Sequence, residues 1–203
     1  KLNRYLFLVA CWSFLPLIAN LAIAKVFTAR YILFTLPPLF VVAGYLISKL
    51  PTKINYLIPI ILIPNLIFIY QLSTNPFSLK LPSTETGYLS DWTSGWGIKE
   101  SAEFLIDRSK SVNVIVGTEG AFGTLPDGLQ IYTNNISHLT VFGVGINITQ
   151  IPDKLIEAKN FGDEVYLLFN SSRLKLTSAD LSTLTLVKST LKPDGDSLVL
   201  YRL

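Results

Sequence analysis

The sequence has no methionine, one cysteine and one histidine, and only 15% of its 203 residues are charged. A soluble domain of this size carries about 25% charged residues. The composition therefore argues against a wholly soluble enzyme, and its apolar content argues against a disordered chain. A single cysteine excludes an internal disulfide framework and any cysteine-rich metal site. Cys11 lies in an apolar run far from His138, so no Cys/His nucleophilic pair is available. A Ser–His–Asp arrangement would have to use His138, and a lone histidine beside a strand is more often a packing or surface residue. The metalloprotease, Walker A and nucleophile-elbow motifs are all absent. With Lys1 as first residue and no methionine, the chain reads as a piece of a longer protein.

Acid is missing from one part of the chain altogether. Residues 1–84 hold seven Lys or Arg and no Asp or Glu, whereas residues 85–203 hold ten basic and fourteen acidic residues. The net charge of +3 thus belongs to an apolar, basic N-terminal part, and no nucleic-acid-binding face is implied.

What is present in that part is long apolar sequence. Stretches 5–24, 31–48 and 54–72 contain no charged residue, and each has at least ten Leu, Ile, Val or Phe. About 20 apolar residues cross the hydrocarbon of a bilayer, and each of these side chains favours insertion by roughly 0.3–0.6 kcal/mol near the helix centre. Three transmembrane helices are expected, with five internal prolines suggesting kinked, packed helices. The short basic links between them predict antiparallel neighbours. Counting Lys and Arg on alternate sides gives four against three in favour of a cytoplasmic N-terminus, so a soluble C-terminal domain is expected outside the cell membrane. Asn-X-Ser/Thr sequons at Asn135, Asn147 and Asn170 fit an exported domain.

The expected organisation is membrane helices over 1–72, a Pro/Ser/Thr-rich linker over 73–90, and a small α/β domain over 91–203 with a mostly parallel sheet. Helices are predicted over 97–109, 125–134 and 152–159. Strands are predicted over 112–117, 139–144 and 164–170, followed by a hairpin of 184–190 and 197–202 around Lys-Pro-Asp-Gly-Asp. Alternating strands and helices predict a three-layered arrangement, with the hairpin added at one edge.

Few residues carry chemistry. Gly117, Gly120 and Gly123 follow a strand and could cradle a phosphate, but their GxxGxxG spacing fits an ordinary tight turn better. Glu119 is the acid of that loop. Asp91, Trp92 and Trp96 form a second cluster, in which the indoles suit either a sugar ring or the membrane interface. Arg30 and Tyr31 stand where the second apolar stretch begins. A guanidinium there can grip a phosphate bidentately or snorkel to the headgroups.

The segment 29–47, ARYILFTLPPLFVVAGYLI, the segment 87–105, GYLSDWTSGWGIKESAEFL, and the loop 117–132, GTEGAFGTLPDGLQIY, resemble the C-terminal part of GT-C superfold integral-membrane glycosyltransferases. The likeness is to family 39, which includes protein mannosyltransferases and bacterial lipid A aminoarabinose transferases. The resemblance implies transfer of a sugar from a polyprenyl-phosphate donor to a glycan, lipid or protein acceptor on the outer membrane face. It assigns Arg30 and Tyr31 to the donor phosphate, and Asp91, Trp92, Trp96 and Glu119 to possible sugar or acceptor contacts. It also implies that the catalytic acids precede this sequence, so no catalytic residue is assigned within it, and that a divalent metal could serve the full-length enzyme. Two other classes remain: a non-enzymatic, membrane-anchored glycan- or partner-binding module, and a transporter fragment. The second is disfavoured because Asn20, Asn55, Asn65 and Gln71 are the main polar groups of the stretches.

Overall fold

The computed structural model describes residues 4–25, 28–51 and 58–203. They fall into two compact units, Lys1–Thr86 and Gly87–Leu203.

The first unit is helical. Helix α1 covers Arg4–Ile23 with Pro16 inside it. Its polar side chains turn back on their own helix: Ser13 Oγ donates to the Val9 carbonyl and Asn20 Nδ2 to the Pro16 carbonyl, both at 2.9 Å. Such internal pairing is what an apolar surrounding demands. A 3-10 segment, Ala29–Thr35, runs straight into helix α2, Leu36–Ser48. Pro37 and Pro38 stand in the first turn of α2, where a missing N–H costs least. The two 20-residue helical segments, Arg4–Ile23 and Ala29–Ser48, are long and apolar enough to cross a membrane. At 1.5 Å per α-helical residue α1 reaches about 30 Å, and the second segment slightly more because a 3-10 residue rises about 2.0 Å, both enough for the hydrocarbon thickness. Helix α1 packs on α2.

Of the third expected span, residues 54–57 lie outside the described residues. Its described part is helix α3, Ile58–Thr74, an apolar helix of 17 residues with Pro64 inside. This described part is shorter than the two 20-residue segments, at about 26 Å by the helical rise, so among the described residues two segments meet the length. Within the expected linker, 73–90, lie the end of α3 and the 3-10 turns Pro76–Ser78 and Thr86–Tyr88.

The second unit is a five-stranded sheet with helices on both faces. Its elements are α4 (Ile98–Ser109), β1 (Val114–Thr118), α5 (Asp127–Thr133), β2 (Leu139–Gly143), α6 (Asp153–Asn160), β3 (Glu164–Asn170), α7 (Ser178–Ser182), β4 (Thr185–Leu191) and β5 (Ser197–Arg202). The strand order is β2-β1-β3-β5-β4. Strand β1 pairs in parallel with β2 and β3, while β5 pairs antiparallel with β3 and β4. The sheet is therefore mixed, which corrects the expectation of a mostly parallel one. A tight hairpin joins its own strands antiparallel, and this one docks through β5, which also lies antiparallel to β3.

The alternation of side chains across the sheet explains the two cores. Val114, Val116, Tyr166, Leu168, Leu198 and Leu200 face α4 and α5, meeting Ile98, Ala102, Leu105 and Leu129. Val165, Leu167, Phe169 and Val199 face the other way, onto Leu155 of α6 and Leu176. Because β3 is covered on both faces, its residues 165–170 are all buried. Close packing also fixes Gly117: a Cβ there would stand 2.7 Å from Leu155 Cδ1 and 3.0 Å from Val144 Cγ1.

Candidate functional site

The order β2-β1-β3 sends the chain from β1 to β2 on one side and then across β1 to β3 on the other. In open α/β sheets the crevice outside the carboxyl ends of strands at such a switch point is where ligands bind. Here the ends of β1 and β3 present Glu119, Asn170 and Arg173.

Glu119 is 2% exposed. Its carboxylate accepts from the Asn170 backbone N–H at 3.0 Å, from Asn170 Nδ2 at 2.5 Å and from Arg173 at 3.3 Å. The Glu119 acceptor fixes the orientation of the Asn170 amide, leaving Asn170 Oδ1 buried and without a partner among the described residues. Arg173 covers the pair, and its guanidinium carbon stands 4.3 Å from the centre of the Trp92 ring. A carboxylate, a guanidinium and an indole thus form one stack. Glu119 is spent within the stack, and the group it leaves accessible is the Trp92 indole, 38% exposed, an aromatic surface of the kind that packs on a sugar ring.

Beside this stack, Lys192 is 1% exposed. Its ammonium donates to the backbone carbonyls of Asp91 at 2.9 Å and Ser94 at 3.3 Å. Burial pushes its pKa down, and the carboxylates of Asp196, Glu119, Asp194 and Asp91 only partly offset that. Asp194 Oδ2 accepts from the Asp91 N–H at 2.7 Å. Burial also pushes the Asp196 carboxyl up, but hydrogen bonds from Ser171, Ser172 and Ser197 outweigh it and hold the carboxyl below its usual range. The β4–β5 turn is thereby fastened to the turn after β3 and to the segment around Asp91.

The structure thus brings Glu119 and Trp92 together through Arg173, and ties Asp91 in through Lys192. Trp96 is held apart in a local role, its indole N–H donating to the Leu89 carbonyl at 2.7 Å. The glycine loop is a turn: Glu119 N–H donates to Leu168 O at 3.2 Å, Gly120 N–H to Gly145 O at 2.9 Å, and Gly123 N–H to Asp127 Oδ2 at 2.8 Å. Those amides are spent internally, as the GxxGxxG spacing suggested. Asn170 and Arg173 were not singled out from sequence as site residues. Their position directly after the third predicted strand was the available signal, because strand C-termini are where sites of this architecture collect.

A cavity of about 180 Å³ lies at the opposite, N-terminal ends of the strands, lined by Lys110, Asn113 and His138 among others. It lacks a buried charge or aromatic platform, so the switch-point crevice is the stronger candidate. Near it Glu164 accepts from Arg108, from Arg202 at 3.1 Å and from Tyr166 Oη at 2.8 Å. The hydrogen bond from Arg108 is the main influence holding the Glu164 carboxyl below its usual range. This network clamps α4 to β3 and β5.

In the first unit, Arg30 and Tyr31 open the Ala29–Thr35 segment. The Arg30 guanidinium lies 5.2 Å from the Tyr31 ring centre and its nitrogen 3.5 Å from Tyr31 Oη. No carboxylate pairs with Arg30 among the described residues. Glu85 Oε1 accepts the Ala29 N–H at 2.6 Å, placing a negative charge at the start of the segment. Among the described residues no three His, Cys, Asp or Glu converge as metal ligands, so the residues shown do not supply a divalent-metal site.

No family model, curated protein or solved structure matches the chain.

Proposed function

We propose that this chain is the C-terminal portion of a membrane glycosyltransferase that moves a sugar from a polyprenyl-phosphate donor to an acceptor on the outer membrane face. The observation that carries the reading is the Arg30–Tyr31 pair. An exposed guanidinium with no ion pair among the described residues stands at the start of a membrane-length apolar segment, where a lipid phosphate would lie, while the Glu85 carboxylate is engaged by the neighbouring Ala29 N–H. Tyr31 steadies the guanidinium with its ring and takes one long hydrogen bond from it at 3.5 Å. In this reading the apolar stretch 54–72, whose described part lies in α3, is a third crossing, and the α/β unit lies outside the membrane.

The reaction is a displacement at the anomeric carbon. The acceptor oxygen forms the new bond as the bond to phosphate breaks, and Arg30 stabilises the charge left on the phosphate. No residue of this chain is assigned as the base that takes the acceptor proton. The test is transfer from a polyprenyl-phosphate sugar by the intact membrane protein carrying Arg30→Ala. A charge-assisted hydrogen bond is worth about 1.5–3 kcal/mol, so a loss of roughly 10–150-fold is expected, with partial recovery in Arg30→Lys. Unchanged transfer would remove Arg30 from the donor site.

A second reading is a membrane-anchored glycan-binding module, favoured by the Glu119–Arg173–Trp92 stack. It predicts that Trp92→Ala weakens glycan binding in a protein with no transferase activity, while Arg30→Ala leaves that binding intact.

A further inference from the structure

We infer that the loops after β1 and β2 form a membrane-docking edge of the α/β unit, with Phe122 and Ile146 as its apolar tips. Two loops meet there: Gly120 and Gly145 exchange backbone hydrogen bonds at 2.9 and 3.1 Å. Gly120 and Gly145 both take positive φ, +78° and +97°, a backbone state in which glycine costs least. The tie holds both loops out beyond the sheet. Two residues past Gly120, Phe122 is 81% exposed, and one residue past Gly145, Ile146 is 51% exposed.

The surroundings of these tips identify their partner. Across residues 120–152 the one Lys, Arg, Asp or Glu is Asp127, whose Oδ2 accepts the Gly123 N–H of the tip loop at 2.8 Å. The acid between Gly117 and the tip, Glu119, is buried against Asn170 and Arg173. Phe161 is a contrasting case. It is 87% exposed but precedes β3 at the other end of the sheet, flanked by Lys159 and Asp163. A protruding aromatic on a rim with no Lys or Arg, whose one exposed carboxylate is turned onto the Gly123 amide, suits the boundary between headgroups and acyl chains. The same chain carries two helices long and apolar enough to cross a membrane, so a bilayer is the apolar phase at hand. This inference rests on those helices and is independent of the transferase reading.

The experiment is spin-label depth measurement on the whole chain in phosphatidylcholine/phosphatidylglycerol vesicles. Cys11→Ser removes the native thiol, and single labels go on Phe122→Cys, Ile146→Cys, Phe161→Cys and Leu15→Cys, the last within α1 as a membrane reference. Expected is a severalfold higher ratio of oxygen to nickel-chelate collisions at 122 and 146 than at 161, approaching the ratio at 15. Ratios at 122 and 146 equal to that at 161 would overturn the docking edge. Labels shielded from both probes would also overturn it, since that is the signature of a protein partner or a second copy. A water-like ratio at 15 would remove the membrane premise itself, and none of these outcomes depends on sugar transfer.

Discussion

Glu119 and Lys192 are buried ions kept by different means. Glu119 is neutralised by Arg173 and hydrogen-bonded by Asn170, whereas Lys192 relies on two backbone carbonyls. Removing one partner of a buried pair costs about 3–5 kcal/mol, because the other is left uncompensated. Arg173 can swing to water, so Glu119→Ala is expected near the low end, about 3 kcal/mol. The loss should appear as faster hydrogen exchange at 165–169 of β3, and unchanged protection there would show the network to be dispensable. Lys192→Met should cost about 1–3 kcal/mol by stranding the Asp91 and Ser94 carbonyls, despite its better hydrophobicity. A higher melting temperature in that variant would refute the role given to those hydrogen bonds. Glu164 governs the acid side. Its folded pKa is depressed by Arg108, so its stabilisation is present above the unfolded value, about 4.3, and is lost as pH falls through the folded value. Melting temperature should fall on acidification below that range, and Glu164→Gln should flatten the fall. Superimposable acid limbs for the two proteins would contradict the assignment.

At the scale of elements, the five strands were legible because each is a short apolar run ended by Gly, Asn or a turn. Val-Asn-Val-Ile-Val-Gly and Glu-Val-Tyr-Leu-Leu-Phe-Asn leave little alternative, and Pro193-Asp194-Gly195 marks the hairpin. The sense of pairing was less legible, since it is decided by which edge the hairpin joins, a long-range choice that no local pattern encodes. Helix α7 escaped notice because it has five residues and is defined by a cap: Thr177 accepts from the Asp180 N–H at 3.2 Å. Glu119 was legible as the acid of its loop, but Arg173 and Asn170 become its partners only when β3 is laid beside β1. The loop edge depends on the same packing. A Cβ on Gly143 would collide with the Gly120 carbonyl, a backbone atom that cannot rotate away. Gly143→Ala is therefore expected to cost about 1–3 kcal/mol, the range for overpacking, and to loosen the Gly120–Gly145 tie. Exchange of the Gly120 and Gly145 amides would report it, and retained protection at both would show that the loops tolerate the extra methyl.

The two units present different surfaces to their surroundings. In the α/β unit, both faces of β3 are covered and most large apolar side chains are inside. In α1 and α2 the outward side chains are themselves Leu, Ile, Phe and Val, and Ser13 and Asn20 satisfy themselves within α1. Water would leave that apolar surface uncompensated at about 25 cal/mol per Å², whereas hydrocarbon would solvate it and need only the internal hydrogen bonds already formed. In the middle of α1, Leu15 faces outward and is 60% exposed. Lys in that position would carry about 2.5–3.5 kcal/mol against insertion, while the same change on a water-facing helix would cost almost nothing and raise solubility. Leu15→Lys should therefore shift the chain from the membrane pellet to the alkaline-carbonate supernatant, or reduce its accumulation, whereas Ile131→Lys in α5, at a still more exposed position (76%), should leave it in the pellet. If both variants fractionate like the parent protein, α1 does not lie across the bilayer, and its apolar face must be covered by protein instead.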